Sequence, residues 1–385
     1  MNKNLKVISI NMVTFILIIL SLIISVILYL VLISPGKPDV FKDEDGNILE
    51  SSISEKIFVP IGGVKQGMFI RSKNTDNPVL LFVHGGPGFP NYFLFEKFKP
   101  GLEDYFTVCY WEQRGGGLSY TSEVTIESMT LEQLTSDAIE VTNYLRERFG
   151  KDKIYIMAWS GGTGIALPAV AEAPQLFHAY IAMAQITRQR ESEKIAYQFM
   201  LKHYTEMNDQ RAVKDLLRFN HLETESDLIS FYNSGTRDKL MHKLGIGTMR
   251  SMKSVFIDIF LPVWTCRAYT LKEKYIIWKS KLIFLPKTNL KIQALKTDFS
   301  ETYPEIKVPV YFMCGKHDLT VNIDLTKDYY NRLDAPLKGF YTFENSAHGP
   351  LFEEPERFME ILVKGMLKTD ISLADSNTTE QVTGH

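Results

Sequence analysis

The sequence predicts an α/β protein with a mostly parallel central sheet, an inserted helical cap and an N-terminal transmembrane helix. Short apolar runs alternate with helical segments over much of the chain, which is typical of a parallel sheet covered on both faces. A long stretch in the second half reads as helical throughout. The chain also begins with an uncharged apolar run that is long enough to cross a membrane.

The composition excludes several classes of protein. With 385 residues, of which 45% are hydrophobic and 23% charged, the chain can form one large core plus an insertion. The formal net charge of -2 gives no reason to expect a nucleic-acid partner, whose phosphates select a basic surface. Cys109, Cys266 and Cys314 are widely spaced and predict buried thiols rather than a disulfide framework or a zinc site. We therefore expect no metal and no cofactor.

The first element is the apolar run, in which no charged residue occurs from Val7 to Gly36. It is longer than the apolar part of a signal peptide and lacks a small-x-small cleavage site, so we interpret residues 7–33 as an uncleaved anchor. Lys3 and Lys6 precede the run, and the segment that follows it, KPDVFKDEDG, is acidic on balance. The positive-inside rule then predicts a short cytoplasmic segment over 1–6 and a folded body outside the cell membrane.

Residues 37–186 hold the first strands of the body. SEKIFVPIGG and KQGMFIRSK indicate two short strands around a Gly-Gly turn, and NPVLLFVHGGPG indicates a buried strand that enters a glycine-rich loop. The runs YFTVCYW, KIYIMAW and HAYIAMA follow, separated by helical segments such as LEQLTSDAIEVTNYLRERFG. This alternation predicts parallel strands joined by helices.

Residues 187–303 form the predicted cap, because no convincing strand occurs until Val308. The cap holds 20 Lys and Arg against 13 Asp and Glu; this basic surface either attracts an acidic substrate or an anionic membrane, or is simply solvated. Its apolar runs VFIDIFLPVW and YIIW line a pocket or fill the cap's own core. The strand VPVYFMC begins the second part of the body, 304–368, and the polar tail 369–385 is predicted to be disordered.

The segment KIYIMAWSGGTG carries the first chemical signal. It places Ser160 between a buried strand and a helical run, with Ala158 and Gly162 at the two small positions of a tight nucleophile elbow. A glycine-rich loop, His84 to Gly88, follows an earlier strand, where its backbone can face the nucleophile. We expect the N–H groups of Gly86 and Gly161 to form an oxyanion hole.

Two further candidates follow later strands. VPVYFMCGKHDLTV puts Asp318 just beyond one strand, and GFYTFENSAHGP puts His348 just beyond another. The order Ser, Asp, His is that of the α/β-hydrolase fold, which the sequence therefore predicts. In this interpretation His348 takes the proton of Ser160, Asp318 fixes the imidazole tautomer, and His84 fixes its own loop.

Three motifs together, HGGPG, YWEQRGGGLSY and AWSGGT, resemble the prolyl aminopeptidase (proline iminopeptidase-like) group of α/β-hydrolases. The resemblance covers roughly Val59 to Leu367. Glu112 stands where that family has aspartate, and Trp159 precedes the serine where the family has tryptophan after it. Arg114 of the second motif is interpreted as a structural charge that fixes loops near the site.

The resemblance implies that acidic side chains of the cap hold the ammonium group of a substrate. Glu191, Glu193 and Glu206 are the nearest candidates, although their spacing also fits a solvated helix face. The implied function is a membrane-anchored serine hydrolase that acts through an acyl-enzyme on a small molecule or short peptide, as an aminopeptidase or amidase. An esterase or lipase-like hydrolase with the same triad is the alternative, and a non-catalytic binding protein of the same fold is a third.

Overall fold

The computed structural model describes residues 3–252 and 254–377. Its frame is a nine-stranded sheet in the order β1-β2-β4-β3-β5-β6-β7-β8-β9. Strands β3 to β8 run parallel to one another, whereas β1 and β2 at one edge and β9 at the other pair in the antiparallel sense. The strands are β1 (Ile53–Ile61), β2 (Val64–Ser72), β3 (Val79–Val83), β4 (Thr107–Trp111), β5 (Ile154–Trp159), β6 (Phe177–Met183), β7 (Val310–Gly315), β8 (Lys338–Phe343) and β9 (Ser376–Asn377).

One long helix precedes the strands, other helices alternate with the strands, and a series of helices forms the cap. They are α1 (Lys3–Leu32), α2 (Tyr92–Phe98), α3 (Leu131–Phe149), α4 (Thr163–Glu172), α5 (Gln189–Glu206), α6 (Gln210–Leu217), α7 (Glu225–Tyr232), α8 (Gly235–Leu244), α9 (Leu261–Thr265), α10 (Leu271–Lys279), α11 (Leu290–Lys296), α12 (Phe299–Thr302), α13 (Ile323–Arg332), α14 (Pro350–Glu353) and α15 (Pro355–Glu360). Two π-helical turns, Phe256–Phe260 and Ser280–Phe284, adjoin α9 and α10.

Local chemistry explains these elements. All five residues of β3, VLLFV, are buried, as expected for a parallel strand covered on both faces. Helix α3 is capped at its start by Thr130, whose side chain accepts a hydrogen bond from Gln133 N, and at its end by Gly150, which adopts a φ of 61°. Between its ends, α3 buries Leu134, Ala138, Val141 and Leu145 at helical spacing.

The structure confirms the predicted fold class, and each run that was predicted to be a strand forms one. The segments that enter and leave the cap lie side by side. Phe299 N donates to Thr187 O at 3.0 Å, and the backbones of Arg188 and Asp298 form an isolated antiparallel β-bridge. The cap has its own buried cluster, formed mainly by α5 to α8 and including Tyr197, Met200 and Phe231. The runs VFIDIFLPVW and YIIW lie outside this cluster, and Val263 and Ile277 from them join the main core instead.

The prediction of a disordered tail is wrong for the part of it that the structure describes. β9 pairs with β8, Asp375 N donates to Phe340 O at 2.8 Å, and Ile371 is buried. The reason is that β8 would otherwise leave unpaired N–H and C=O groups at the edge of the sheet, and a polar sequence can satisfy these groups with its backbone. Residues 378–385 of the predicted tail lie outside the described residues.

Helix α1 stands apart from the body over most of its length. Its residues Met12–Leu32 form the one helix, within the described part of the chain, whose length and composition suit a membrane span. None of this segment is buried, so it is not a core helix. Length and composition alone also fit a signal sequence.

Candidate active site

The candidate site lies where the strand order reverses. β3 pairs with both β4 and β5, so the loops that leave its carboxyl end and that of its neighbours diverge and leave a crevice. Val83, at the end of β3, is directly opposite Ala158 in β5. The glycine-rich loop after β3 therefore lies beside Ser160, which follows β5.

Ser160 occupies a strained turn between β5 and α4, with a φ of 54°. Gly162 permits this turn, because a Cβ at that position would lie only 2.3 Å from Val83 O and 2.5 Å from His84 O. Thr163 fixes the turn on the other side: its Oγ1 donates to Ser160 O at 2.6 Å and accepts from Ile186 N at 3.0 Å. The serine side chain is left partly exposed.

The predicted oxyanion loop lies against the elbow. A Cβ on Gly161 would be 3.1 Å from Gly86 N, so the two glycines are neighbours in space. Gly86 adopts a φ of 70°, a conformation that favours glycine. The loop is fixed by two hydrogen bonds, from Gly85 N to Asn91 Oδ1 at 3.1 Å and from Gly88 N to Gln113 Oε1 at 2.9 Å.

His84 is buried beneath this loop. Its Nε2 accepts from Gln113 N at 3.1 Å, and its Nδ1 lies 3.0 Å from Gly85 O, so the ring joins two loops. Burial lowers the pKa of His84 to about 4, which keeps the imidazole neutral. These contacts agree with a loop-fixing role.

Asp318 and His348 lie at the ends of β7 and β8 and contact each other directly. His348 Nδ1 is 2.7 Å from Asp318 Oδ2, and both side chains are buried. The other carboxylate oxygen, Oδ1, accepts from Thr320 N at 2.8 Å and Val321 N at 3.0 Å. Backbone donors thus fix the carboxylate, which in turn fixes the ring. The structure brings together His348 and Ser160, which line the same cavity.

Trp159 contacts His348, which the sequence analysis did not predict. Its Nε1 donates to His348 O at 2.6 Å, and its ring centre is 5.7 Å from that of His348. The signal was present as the shifted tryptophan, which stands before the serine rather than after it. A second contact holds the loop before His348, because Glu353 Oε2 accepts a hydrogen bond from Ala347 N at 2.9 Å.

The cavity has a volume of about 250 Å³ and mostly apolar walls from both the body and the cap. Gly86, Ser160 and His348, three of the predicted site residues, are among its lining residues. The apolar wall includes Phe89, Leu94, Met241, Met252, Val255, Ile259 and Trp278. Within the described residues, no group of three or more His, Cys, Asp and Glu side chains is arranged to hold a metal ion.

The three glutamates predicted to bind substrate are not brought together. Glu191 and Glu206 are exposed, whereas Glu193 is fully buried and forms two 2.6 Å contacts with the guanidinium of Arg237. None of the three belongs to the described lining of the cavity. Spacing on one helix could not show this, because the partner, Arg237, comes from another helix.

Among the described residues that line the cavity, the carboxylate is that of Asp238, which no sequence motif marked. Its Oδ1 accepts from Arg237 Nη1 at 2.9 Å. Burial would raise the pKa of Asp238, but the charges of Arg237 and Lys291 outweigh it and lower that pKa. Lys281 also lines the cavity, and its pKa is lowered to about 8, chiefly by burial. Among the described lining residues, the carboxylate of Asp238 thus lies with Arg237, Lys281 and the histidines His242 and His348.

The second family-like motif lies behind the site. Arg114 forms a bidentate ion pair with Asp137, with both contacts at 2.8 Å, as expected of a structural charge. Glu112 is fully buried, where its Oε2 accepts from Leu118 N at 2.6 Å and its Oε1 contacts the hydroxyl of Tyr269 from the cap. Burial raises the pKa of Glu112 to about 8. The longer acid at this position thus joins the body to the cap.

Comparison with known proteins agrees with this geometry. The family model described as alpha/beta hydrolase fold matches residues 78–355. The chain is 33% identical over 307 residues to Probable aminopeptidase YbaC of Bacillus subtilis, with 78% of this chain and 93% of that protein covered. It is 25% identical to a proline iminopeptidase of Clostridioides difficile, with 81% and 98% covered.

A solved structure of similar fold is the proline iminopeptidase of Mycobacterium smegmatis. It aligns with a TM-score of 0.58 at 14% identity and covers 83% of this chain and 99% of its own. The family model spans well over half of the sequence, including Ser160, Asp318 and His348. The chain belongs to the α/β-hydrolase family.

Proposed function

We propose that this protein is a serine hydrolase in which Ser160 is the nucleophile, His348 the general base and Asp318 the residue that orients the base. The observation that carries the proposal is the buried 2.7 Å contact between His348 Nδ1 and Asp318 Oδ2, beside a cavity that Ser160 also lines. A histidine fixed at Nδ1 presents Nε2 as the atom that can take a proton.

In the acylation step, Ser160 Oγ attacks the carbonyl carbon of the substrate while His348 Nε2 takes the hydroxyl proton. The carbonyl oxygen becomes negatively charged, and the N–H groups of Gly86 and Gly161 are the proposed donors to it. As the tetrahedral intermediate collapses, His348 gives its proton to the leaving group. The acyl group stays on Ser160 as an ester.

In the deacylation step, water takes the place of the leaving group and gives a proton to His348 as its oxygen attacks the ester. Collapse of the second intermediate returns this proton to Ser160 and releases a carboxylic acid. Asp318 stays ionised and stabilises the imidazolium in both steps, which is why its backbone donors at Thr320 and Val321 matter.

We propose aminopeptidase or amidase activity on short substrates as the reaction. Two of the relatives described above, a probable aminopeptidase and a proline iminopeptidase, support this reaction. Asp238 supports it as well, because its carboxylate lies at the cavity, where it could bind a substrate ammonium group. Glu193 takes a supporting role in this proposal: its bond to Arg237 offsets the positive charge beside Asp238. Helix α1 would hold the enzyme at the cell membrane, with the catalytic body outside.

The nucleophile is tested by labelling with a fluorophosphonate probe. We expect Ser160→Ala to abolish labelling and lower turnover by at least about a thousandfold, as loss of a triad member does elsewhere. The exposed Ser122→Ala variant is the matched control and should label like the parent protein. If Ser160→Ala still labels fully, another residue is the nucleophile.

The apolar wall supports a second candidate function, that of an esterase for acyl chains. A panel of prolyl and other aminoacyl anilides against p-nitrophenyl acyl esters separates the two. If the substrate amine binds Asp238, Asp238→Asn should raise KM for aminoacyl anilides about tenfold or more and leave ester hydrolysis nearly unchanged, because one charged hydrogen bond is lost. Equal effects on both substrates, or turnover of esters alone, would favour the esterase.

A further inference from the structure

Two adjoining segments of the cap carry an exposed apolar surface. One is Phe256–Phe260 with α9, the other is α10 with Ser280–Phe284, and they meet where the rings of Phe260 and Trp278 lie 5.2 Å apart. We call the apolar cap face the large side chains that these segments and Val255 leave 41–67% exposed: Val255, Phe256, Ile257, Leu261, Tyr275, Leu282 and Ile283. Clustered exposure of this kind marks a surface that contacts a partner or a membrane.

The end of α1 is attached to these same segments. Lys274 Nζ donates to Ser34 Oγ at 2.7 Å and to Trp264 O at 2.7 Å, and Lys274 is fully buried. Gly36 N donates to Arg267 O at 3.1 Å, and the backbones of Pro35 and Thr270 form an isolated antiparallel β-bridge. The chain that leaves α1 is therefore fixed to the cap rather than flexible, and it sets the position of the cap relative to α1.

The dimensions of α1 then locate the cap. Its apolar stretch Met12–Leu32 has 21 residues. At 1.5 Å per residue it is about 31 Å long, close to the roughly 30 Å of a hydrocarbon core. Ser34 follows Leu32 by two residues, or at most about 7 Å, and each headgroup layer is about 5–8 Å thick. With α1 inserted, the contacts of Ser34 and Gly36 place the two cap segments at the headgroup layer.

The charges beside the apolar cap face suit the same surroundings. Lys272, Lys279 and Lys287 are exposed on or next to these segments. Exposed apolar side chains flanked by lysines are typical of helices that lie in the interface of an anionic membrane.

We propose that the apolar cap face lies in the headgroup region of the membrane that holds α1. This inference rests on the proposed insertion of α1 and adds a second contact with lipid. Val255, Ile259 and Trp278 also line the catalytic cavity, so the segments in contact with lipid are walls of that cavity. A substrate that is itself dissolved in the membrane would then meet the cavity without crossing bulk water.

The experiment uses the full chain in vesicles of phosphatidylcholine and phosphatidylglycerol that contain nitroxide-labelled lipid. The three native cysteines are buried, so a bimane fluorophore can be attached to Leu282→Cys. We expect the nitroxide to quench this label strongly. Met207→Cys is the matched control, because Met207 is an exposed apolar cap residue outside the face and should stay unquenched.

A label at Leu20→Cys, in the middle of α1, separates failure of the anchor from failure of the inference. Quenching at Leu20 and at Leu282, with none at Met207, supports the proposal. Quenching at Leu20 alone overturns it while the anchor stands, and it would favour a protein partner, such as a second copy of this chain, on the apolar cap face. No quenching at Leu20 overturns both. Tyr275→Cys gives a second reading of the face if Leu282→Cys does not fold.

Discussion

At the scale of single residues, the site depends on what fixes His348. Asp318 contacts Nδ1, and Trp159 binds the backbone carbonyl of the same residue from the strand that ends at the nucleophile. The two contacts constrain the ring and the backbone separately. A tryptophan before the serine can reach this carbonyl because β5 and β8 are parallel, so their carboxyl ends and the loop after β8 lie at the same end of the sheet.

Asp318→Asn should keep the fold and lower kcat by up to about ten-thousandfold. Asparagine keeps an oxygen for Thr320 N and Val321 N, but its amide then faces His348 Nδ1 as a donor. The imidazole would carry its proton on Nε2 and could not accept one from Ser160. Steady-state kinetics with circular dichroism would test this, with the exposed Asp324→Asn as control. Normal activity in Asp318→Asn would assign the acid elsewhere.

At the scale of elements, Glu112 joins the loop after β4 to the cap. Its neighbours Leu118 and Tyr269 come from the body and from the segment before α10. Because its pKa is raised to about 8, the folded protein keeps a proton that the unfolded chain loses above about pH 4.5. Unfolding then releases a proton, so this group makes the folded state less stable as pH rises from about 4.5 to 8.

Glu112→Gln should remove this pH dependence. Glutamine is neutral and can accept from Leu118 N while its amide faces Tyr269. We expect Tm of the parent protein in a non-ionic detergent to fall more steeply between pH 5 and pH 8 than Tm of the variant, since a shifted group contributes up to about 1.4 kcal/mol per pH unit. The exposed Glu147→Gln variant should follow the parent. Parallel curves for parent and Glu112→Gln would show that Glu112 is ionised in the folded state.

At the scale of the whole molecule, the segment that follows α1 bonds to the cap at Ser34 and to the body at Asp39, and the cap forms part of the cavity wall. Helix α1, the cap and the proposed catalytic residues are therefore connected through Ser34, Lys274 and the cavity wall at Trp278. With α1 inserted as proposed, the side of the membrane on which the body lies decides which substrates reach the cavity.

We expect the catalytic body to lie outside the cytoplasm. Lys3 and Lys6 precede the apolar run, and the acidic residues that follow it outnumber Lys37 and Lys42, so the positive-inside rule favours a cytoplasmic N-terminus. Protease added to intact cells should then release the body from the membrane fraction and leave a cytoplasmic marker protein intact. Protection of the body until lysis would reverse the orientation.

The sequence by itself determined the fold class and brought forward Ser160, Asp318 and His348, because each is encoded locally. A buried apolar run followed by a tight turn is a short-range signal, and the order of the three residues matches one fold. The glycines of the loop at 84–88 and of the elbow are also local signals, since each is required by a tight turn or by a close approach of the backbone.

Only the tertiary structure decided which partners the cap residues, the tail and the end of α1 would contact. Glu193 is neutralised by Arg237 from another helix, Asp238 reaches the cavity, and the start of the predicted disordered tail joins the sheet edge. Contacts between segments that are distant in the chain decide these outcomes. The sequence pattern of one helix, or of one polar stretch, does not show which distant segment it will contact. The attachment of Ser34 to Lys274, 240 residues away, is of the same kind.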